Sequence, residues 1–175
     1  MSKQLPSRET ALKILANAGC SKHVIKHSKE VADSAVEIAQ ACKKKGLDVD
    51  VALVQAGALL HDVGRAKTHN VDHNIVGAQI AKHRNLSSAV VSIIERHVGG
   101  GITQSEAKSL GWPPKSYIPE TIEERIVAYA DKLIDGSRQI PAKVAAQRLR
   151  QDKNVQEDAI RRFQQWHKEF SVCRK

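Results

Sequence analysis

The chain reads as a succession of amphipathic faces separated by short stops. Ser7 and Gly19 bracket a first predicted helix, with Leu12, Ile14 and Leu15 on its apolar side. Over residues 21–45, Val24, Val31, Ala35, Ile38 and Ala39 recur near the 3.6-residue period, and Gly46 supplies the stop. Residues 50–61 are nearly all apolar, which predicts a buried central helix with no face left for water. A fourth and a fifth helix follow over about residues 72–83 and 87–97. Thr103-Gln-Ser-Glu106 reads as a capping box for a short helix ending at Gly111, and Thr121-Ile-Glu-Glu124 as a second box. The latter opens a helix through Ile126, Val127, Ala130 and Leu133 to Gly136. Pro141 suits the first turn of another helix, and Asn154 the cap of a last one. No segment alternates at the two-residue period of a strand, and no internal repeat is present. The pattern predicts an all-α fold.

Composition narrows the class. A chain of 175 residues fits one domain. With 41% apolar and 27% charged residues, wholesale disorder is excluded; aromatics are only 3%, so Ala, Val, Ile and Leu must build the core. No apolar run approaches the ~18–20 residues of a membrane span, and the opening Met-Ser-Lys-Gln-Leu-Pro lacks the long apolar stretch expected of a signal peptide. A soluble cytoplasmic protein is expected, with no membrane partner. Cys20, Cys42 and Cys173 form no C-x-x-C and are expected as free thiols. The net charge is +9, and residues 138–175 hold ten Lys/Arg against four Asp/Glu, six of those nine charges. That bias points to an anionic partner without naming one.

The phosphate-binding glycine motifs and the G-x-S-x-G elbow are absent. What remains is a high count of eight histidines, several beside carboxylates. His61-Asp62 closes the most apolar helix, where an ionised Asp costs several kcal/mol unless paired or bound to a cation. His27 shares the stripe of Val24, Val31 and Ala35, and Asp131 sits among Ile126, Val127 and Ala130. Singly, each is more often a hydrogen-bonded core residue. Together they send ligand-type side chains from three helices toward one core, as helix bundles do when they build metal sites.

The order His27…His61-Asp62…Asp131, with the flanks Gly57-Ala-Leu-Leu-His61-Asp62-Val-Gly64 and Ala130-Asp131-Lys132-Leu, resembles the H…HD…D signature of the HD-domain superfamily of metal-dependent phosphohydrolases. It looks most similar to a small archaeal-type branch. The resemblance spans about residues 7–137 and implies a compact multi-helix bundle. Residues 1–137 would form the phosphohydrolase domain, and residues 138–175 a basic helical C-terminal extension packed on it. His27, His61, Asp62 and Asp131 would hold one divalent metal ion, of the kind mixed imidazole and carboxylate ligands favour: Mn, Fe, Co, Ni, Zn or Mg. His73 and His97 would hold a second, with Asp62 bridging. Val98 stands where some two-metal relatives have another histidine, and His69 is an alternative to His73. Asp62 would orient or deprotonate the attacking water, and Arg65, Lys132 and Lys67 would neutralise phosphate charge. The glycine-rich, proline-rich stretch over residues 99–119 fits either a lid or an ordinary connection.

Two classes of function follow. One is hydrolysis of a nucleotide or other small phosphate ester by metal-activated water, a cyclic-phosphate phosphodiesterase being a variant. The other is a nucleic-acid-binding or scaffold module with a degenerate site, argued from the basic tail; nucleic acid is the less favoured partner. Phe163, Trp166 and Phe170 recur at i, i+3 and i+7, which more simply makes one apolar face, packed on the body or on a second copy in a homodimer.

Overall fold

Twelve elements of local structure are present among residues 5–174, which the computed structural model describes. The helices are α1 (Arg8–Ala18), α2 (Lys22–Lys44), α3 (Val51–Leu60), α4 (His73–His83), α5 (Ser88–Arg96), α6 (Gln104–Ser109), α7 (Ile122–Lys132), α8 (Ala142–Gln151) and α9 (Glu157–Cys173). A 3-10 turn, Val63–Ala66, joins α3 to α4. An antiparallel hairpin of β1 (Ile134–Asp135) and β2 (Arg138–Gln139) joins α7 to α8. Each of its strands has two residues, too short for any alternation to register in the sequence.

The helix starts follow from their caps. Ser7, Ser21, Asp50, Ser87, Thr103 and Thr121 each accept a hydrogen bond from the backbone N–H three residues on, a contact worth about 1 kcal/mol. At Thr103 the box is reciprocal, with Glu106 accepting from the Thr103 N–H at 2.7 Å. At Thr121 the expected box is only half formed. The Glu124 carboxylate turns instead to the Glu120 N–H at 2.7 Å and to Arg96 at 3.0 Å, because a buried carboxylate gains more from a guanidinium. Two further caps differ from expectation: Pro141 precedes α8 as its cap residue, and Gln156 rather than Asn154 precedes α9.

The apolar α3 lies at the centre, packed by α1, α2, α5 and α7. Its residues from Ala56 to Leu60 are buried, while its first turn reaches the surface at Ala52. Gly64 fixes the next step: a Cβ there would lie 1.8 Å from the His73 carbonyl oxygen. Only glycine lets the turn after Asp62 press against the start of α4, and this brings Asp62 and His73 together.

The C-terminal helices share the main core. α9 packs on α2 and α7, burying Phe163, Trp166 and Phe170, and Tyr129 of α7 meets Phe163 and Phe170 at ring distances of 5.3 and 5.4 Å. These aromatics are core, not a stacking platform. The expectation of free thiols holds for the buried Cys20 and fails for the other two, since Cys42 and Cys173 are joined as a disulfide. They lie 131 residues apart and meet because α9 runs along α2, a juxtaposition that spacing does not reveal. No helix among the described residues is long and apolar enough to cross a membrane.

Candidate metal centre

The ends of five helical elements converge on one point. His61 caps the C-terminus of α3 and Asp62 follows it; His73 is the first residue of α4; His97 caps α5; Asp131 is the penultimate residue of α7. His27 enters from the first turns of α2. Three of these elements, α3, α5 and α7, present their C-termini, whose partial negative charge favours a cation.

Each imidazole is set by its other nitrogen. His61 Nδ1 donates to the Ala58 carbonyl at 2.7 Å, His97 Nδ1 to Ile94 at 2.8 Å, and His73 Nδ1 to Asn70 at 2.9 Å. The three contacts share one rule, a histidine reaching the carbonyl three residues back; for His61 and His97 that carbonyl is one the helix end leaves unpaired. His27 Nδ1 donates to the Gly136 carbonyl at 2.7 Å, across 109 residues. A carbonyl can only accept, so each Nδ1 carries the proton and each neutral ring turns an Nε2 lone pair inward.

Those lone pairs face each other and two carboxylates. Asp131 Oδ1 is 3.0 Å from His27 Nε2 and 3.3 Å from His61 Nε2. Asp62 Oδ2 lies 3.6 Å from His61 Nε2 and 3.9 Å from His27 Nε2, closing a group of two imidazoles and two carboxylates. Asp62 Oδ1 faces the other way, 3.2 Å from His73 Nε2 and 3.5 Å from His97 Nε2. The Nε2 atoms of His73 and His97 are 3.1 Å apart, and neither has a proton to share while both rings are neutral. His61 Nε2 is buried without a hydrogen-bond partner. A ring of acceptors without donors is what a cation satisfies, and carbonyl-held histidines are the usual outer shell of such sites.

The protonation pattern expresses the same conflict. Burial favours neutral His61, yet the Asp62 and Asp131 carboxylates raise its pKa to about 9. Burial, together with repulsion from His61 and His73, pushes His97 down to about 4 against the pull of Asp62. Burial would raise both acids, but His61 with His73 and His97 holds Asp62 well below the usual carboxylate range, and Lys132 with His61 and His27 does so for Asp131. One trapped proton stands in for part of the charge that a divalent ion would bring. The residues present therefore fit such an ion, in one group (His27, His61, Asp131) or a second (His61, Asp62, His97).

The centre opens into a cavity of about 500 Å³, within the size range of small-molecule sites. Arg65 lines it, with Nε 3.6 Å from Asp62 Oδ1 and a terminal nitrogen donating to the His69 carbonyl at 2.8 Å. Lys132 lines it beside Asp131, to which its ammonium donates. His69 is exposed at the rim and stands outside both ligand groups, while Lys67 lines a different pocket altogether. The Gly99–Gly100–Gly101 stretch is held by α9 rather than left as a free hinge. Arg162 donates to the carbonyls of Gly100 and Gly101 at 2.6 and 3.0 Å, and a Cβ on Gly100 would fall 2.0 Å from the Ala159 carbonyl oxygen. Beyond it, Ile102, Ala107, Trp112 and Tyr117 form a small core of their own. The sequence placed Arg162 only in the basic tail, and neither its clamp on the glycines nor the far wall of the cavity was foreseen. The one signal for Arg162 was an arginine on the helix whose apolar face docks the tail.

An all-helical bundle with histidines and aspartates gathered at its helix ends is the hallmark of a particular class of domain. The HD domain model matches residues 24–135, and the chain belongs to this family. It is 49% identical over 132 residues to an uncharacterized protein of Methanocaldococcus jannaschii, covering 75% of this chain and 78% of that one. It is 43% identical to a tRNA (cytidine(56)-2'-O)-methyltransferase of Picrophilus torridus over 98% of this chain but 48% of the relative, so it spans about half that protein's length. Among solved structures, the HD domain of the L. monocytogenes phosphodiesterase PgpH, in complex with cyclic-di-AMP, superposes with a TM-score of 0.55 over 89% of this chain and 92% of that one. At 16% identity this is a likeness of fold.

Proposed function

We propose that this protein is a metal-dependent phosphohydrolase acting on a nucleotide or another small phosphate ester. The observation that carries the reading is the buried ring of Nε2 lone pairs and carboxylate oxygens around Asp62, whose inward-facing atoms are all acceptors while the rings are neutral. His27, His61, Asp62 and Asp131 would hold one divalent ion, with His73, His97 and the second oxygen of Asp62 available to another. Such an ion lowers the pKa of bound water and polarises a phosphoryl oxygen. Asp62, whose two oxygens face the two ligand groups, would orient or deprotonate the attacking water. Arg65 and Lys132 line the same cavity and would take the phosphate oxygens.

The HD domain of PgpH, solved with cyclic-di-AMP, supports a phosphodiester as a variant of the substrate. The methyltransferase relatives, named for their action on tRNA, support an RNA-linked substrate or setting. The test is phosphate release from monoesters, diesters and dinucleoside polyphosphates with added divalent metals. In H61A and D62A the rate should fall by more than the ~10–100-fold typical of groups that only orient ligands, with the helical fold retained. Full activity in both variants would refute the assignment.

A further inference from the structure

The far wall of the cavity comes from residues beyond the matched span of 24–135. One face of α8 lines it through Ala145, Arg148 and Leu149, with Asp152 just past the helix. The connection before α8 adds Ile140, and the turn after it adds Asn154 and Val155. The hairpin fixes this wall to the metal-centre side: the Ile140 N–H donates to the Leu133 carbonyl at 2.8 Å, and Arg148 pairs with Asp135 at 2.8 Å across the rim.

The two ends of the cavity differ in charge. Arg65 and Lys132 stand at the His/Asp end. On the far wall Arg148 is paired with Asp135, and Asp152 adds a second carboxylate to the lining, so that end offers no surplus positive charge to a phosphate. Ile140, Leu149 and Val155 would leave sugar hydroxyls that face them unpaired, which disfavours a sugar phosphate at that end. A flat, uncharged ring with a polar edge fits both features, its face on the aliphatic side chains and its edge on Asn154 and Arg148.

Resting on the phosphohydrolase reading above, we propose that Arg148 and Asn154, on the wall formed by residues 140–155, are specificity-determining residues that select the nucleobase end of the substrate. The wall reads a nucleoside phosphate whether it arrives as a free nucleotide or as the terminus of an RNA.

The experiment compares wild type, R148A and N154A, two substitutions at exposed positions, on three probes: ribonucleoside monophosphates with their cyclic forms, short oligoribonucleotides, and p-nitrophenyl phosphate esters. The ratio of kcat/KM for nucleoside over p-nitrophenyl substrates should fall at least tenfold in each variant, chiefly through KM. The better of the two nucleoside probes identifies the source. A ratio unchanged within twofold in both variants overturns the inference. Should wild type turn over none of the probes, the hydrolase reading fails by itself. Equilibrium binding of the same nucleoside monophosphates and oligoribonucleotides then decides: tenfold weaker binding in the variants sustains the wall, and equal binding, or none to wild type, overturns it.

Discussion

Arg162 shows how far one side chain can reach. Its guanidinium is half-buried, and burial lowers its pKa; it donates to two consecutive glycine carbonyls three and four residues after His97. Removing it strands those acceptors, so R162A should lose about 1–3 kcal/mol of stability. R162K should recover part of the loss, since one ammonium can reach one carbonyl but not both. Thermal or urea unfolding of the three proteins reads this directly, and an unchanged midpoint in R162A would remove the clamp from the account. At this scale the sequence was most legible where a side chain breaks a pattern. His27, His61, Asp62 and Asp131 stood out because polar groups on apolar helix faces demand partners. The carbonyls that orient the rings could not be read, because Gly136 meets His27 across 109 residues and backbone atoms carry no sequence label.

Among the elements, the helices followed from periodicity and caps, and the departures lie where tertiary contacts outbid local ones. Glu124 leaves its capping role for Arg96, and the hairpin is too short to signal itself. α9 repays its length by burying one apolar edge against α2 and α7. Phe170 is fully buried there, and F170A should cost about 3–5 kcal/mol. Urea unfolding would show it as a lower midpoint at an unchanged slope. A loss under 1 kcal/mol would mean that α9 is not part of the core. The same packing employs part of the basic tail's charge in internal contacts, as Arg162 and Arg148 show.

For the molecule as a whole, the first and last parts of the chain are tied by the Cys42–Cys173 disulfide and by the cavity they share. Cys20 is buried, its thiol pushed up by burial and then by Asp62. Unfolded but unreduced protein should therefore titrate one thiol per chain, and reduced protein three. The disulfide encloses a loop of 131 residues, long enough for a contribution of up to about 4–5 kcal/mol, so reduction should lower the unfolding midpoint. Three thiols without reductant would contradict the pairing. The central claim concerns the metal centre, where four histidines and two aspartates turn ligand atoms toward one another. Calorimetric titration of Mn²⁺ into metal-stripped wild type and H61A tests it most directly. The account predicts one or two saturable sites per chain in wild type and at least one site lost in H61A. No binding to wild type, or an identical isotherm in H61A, would contradict it.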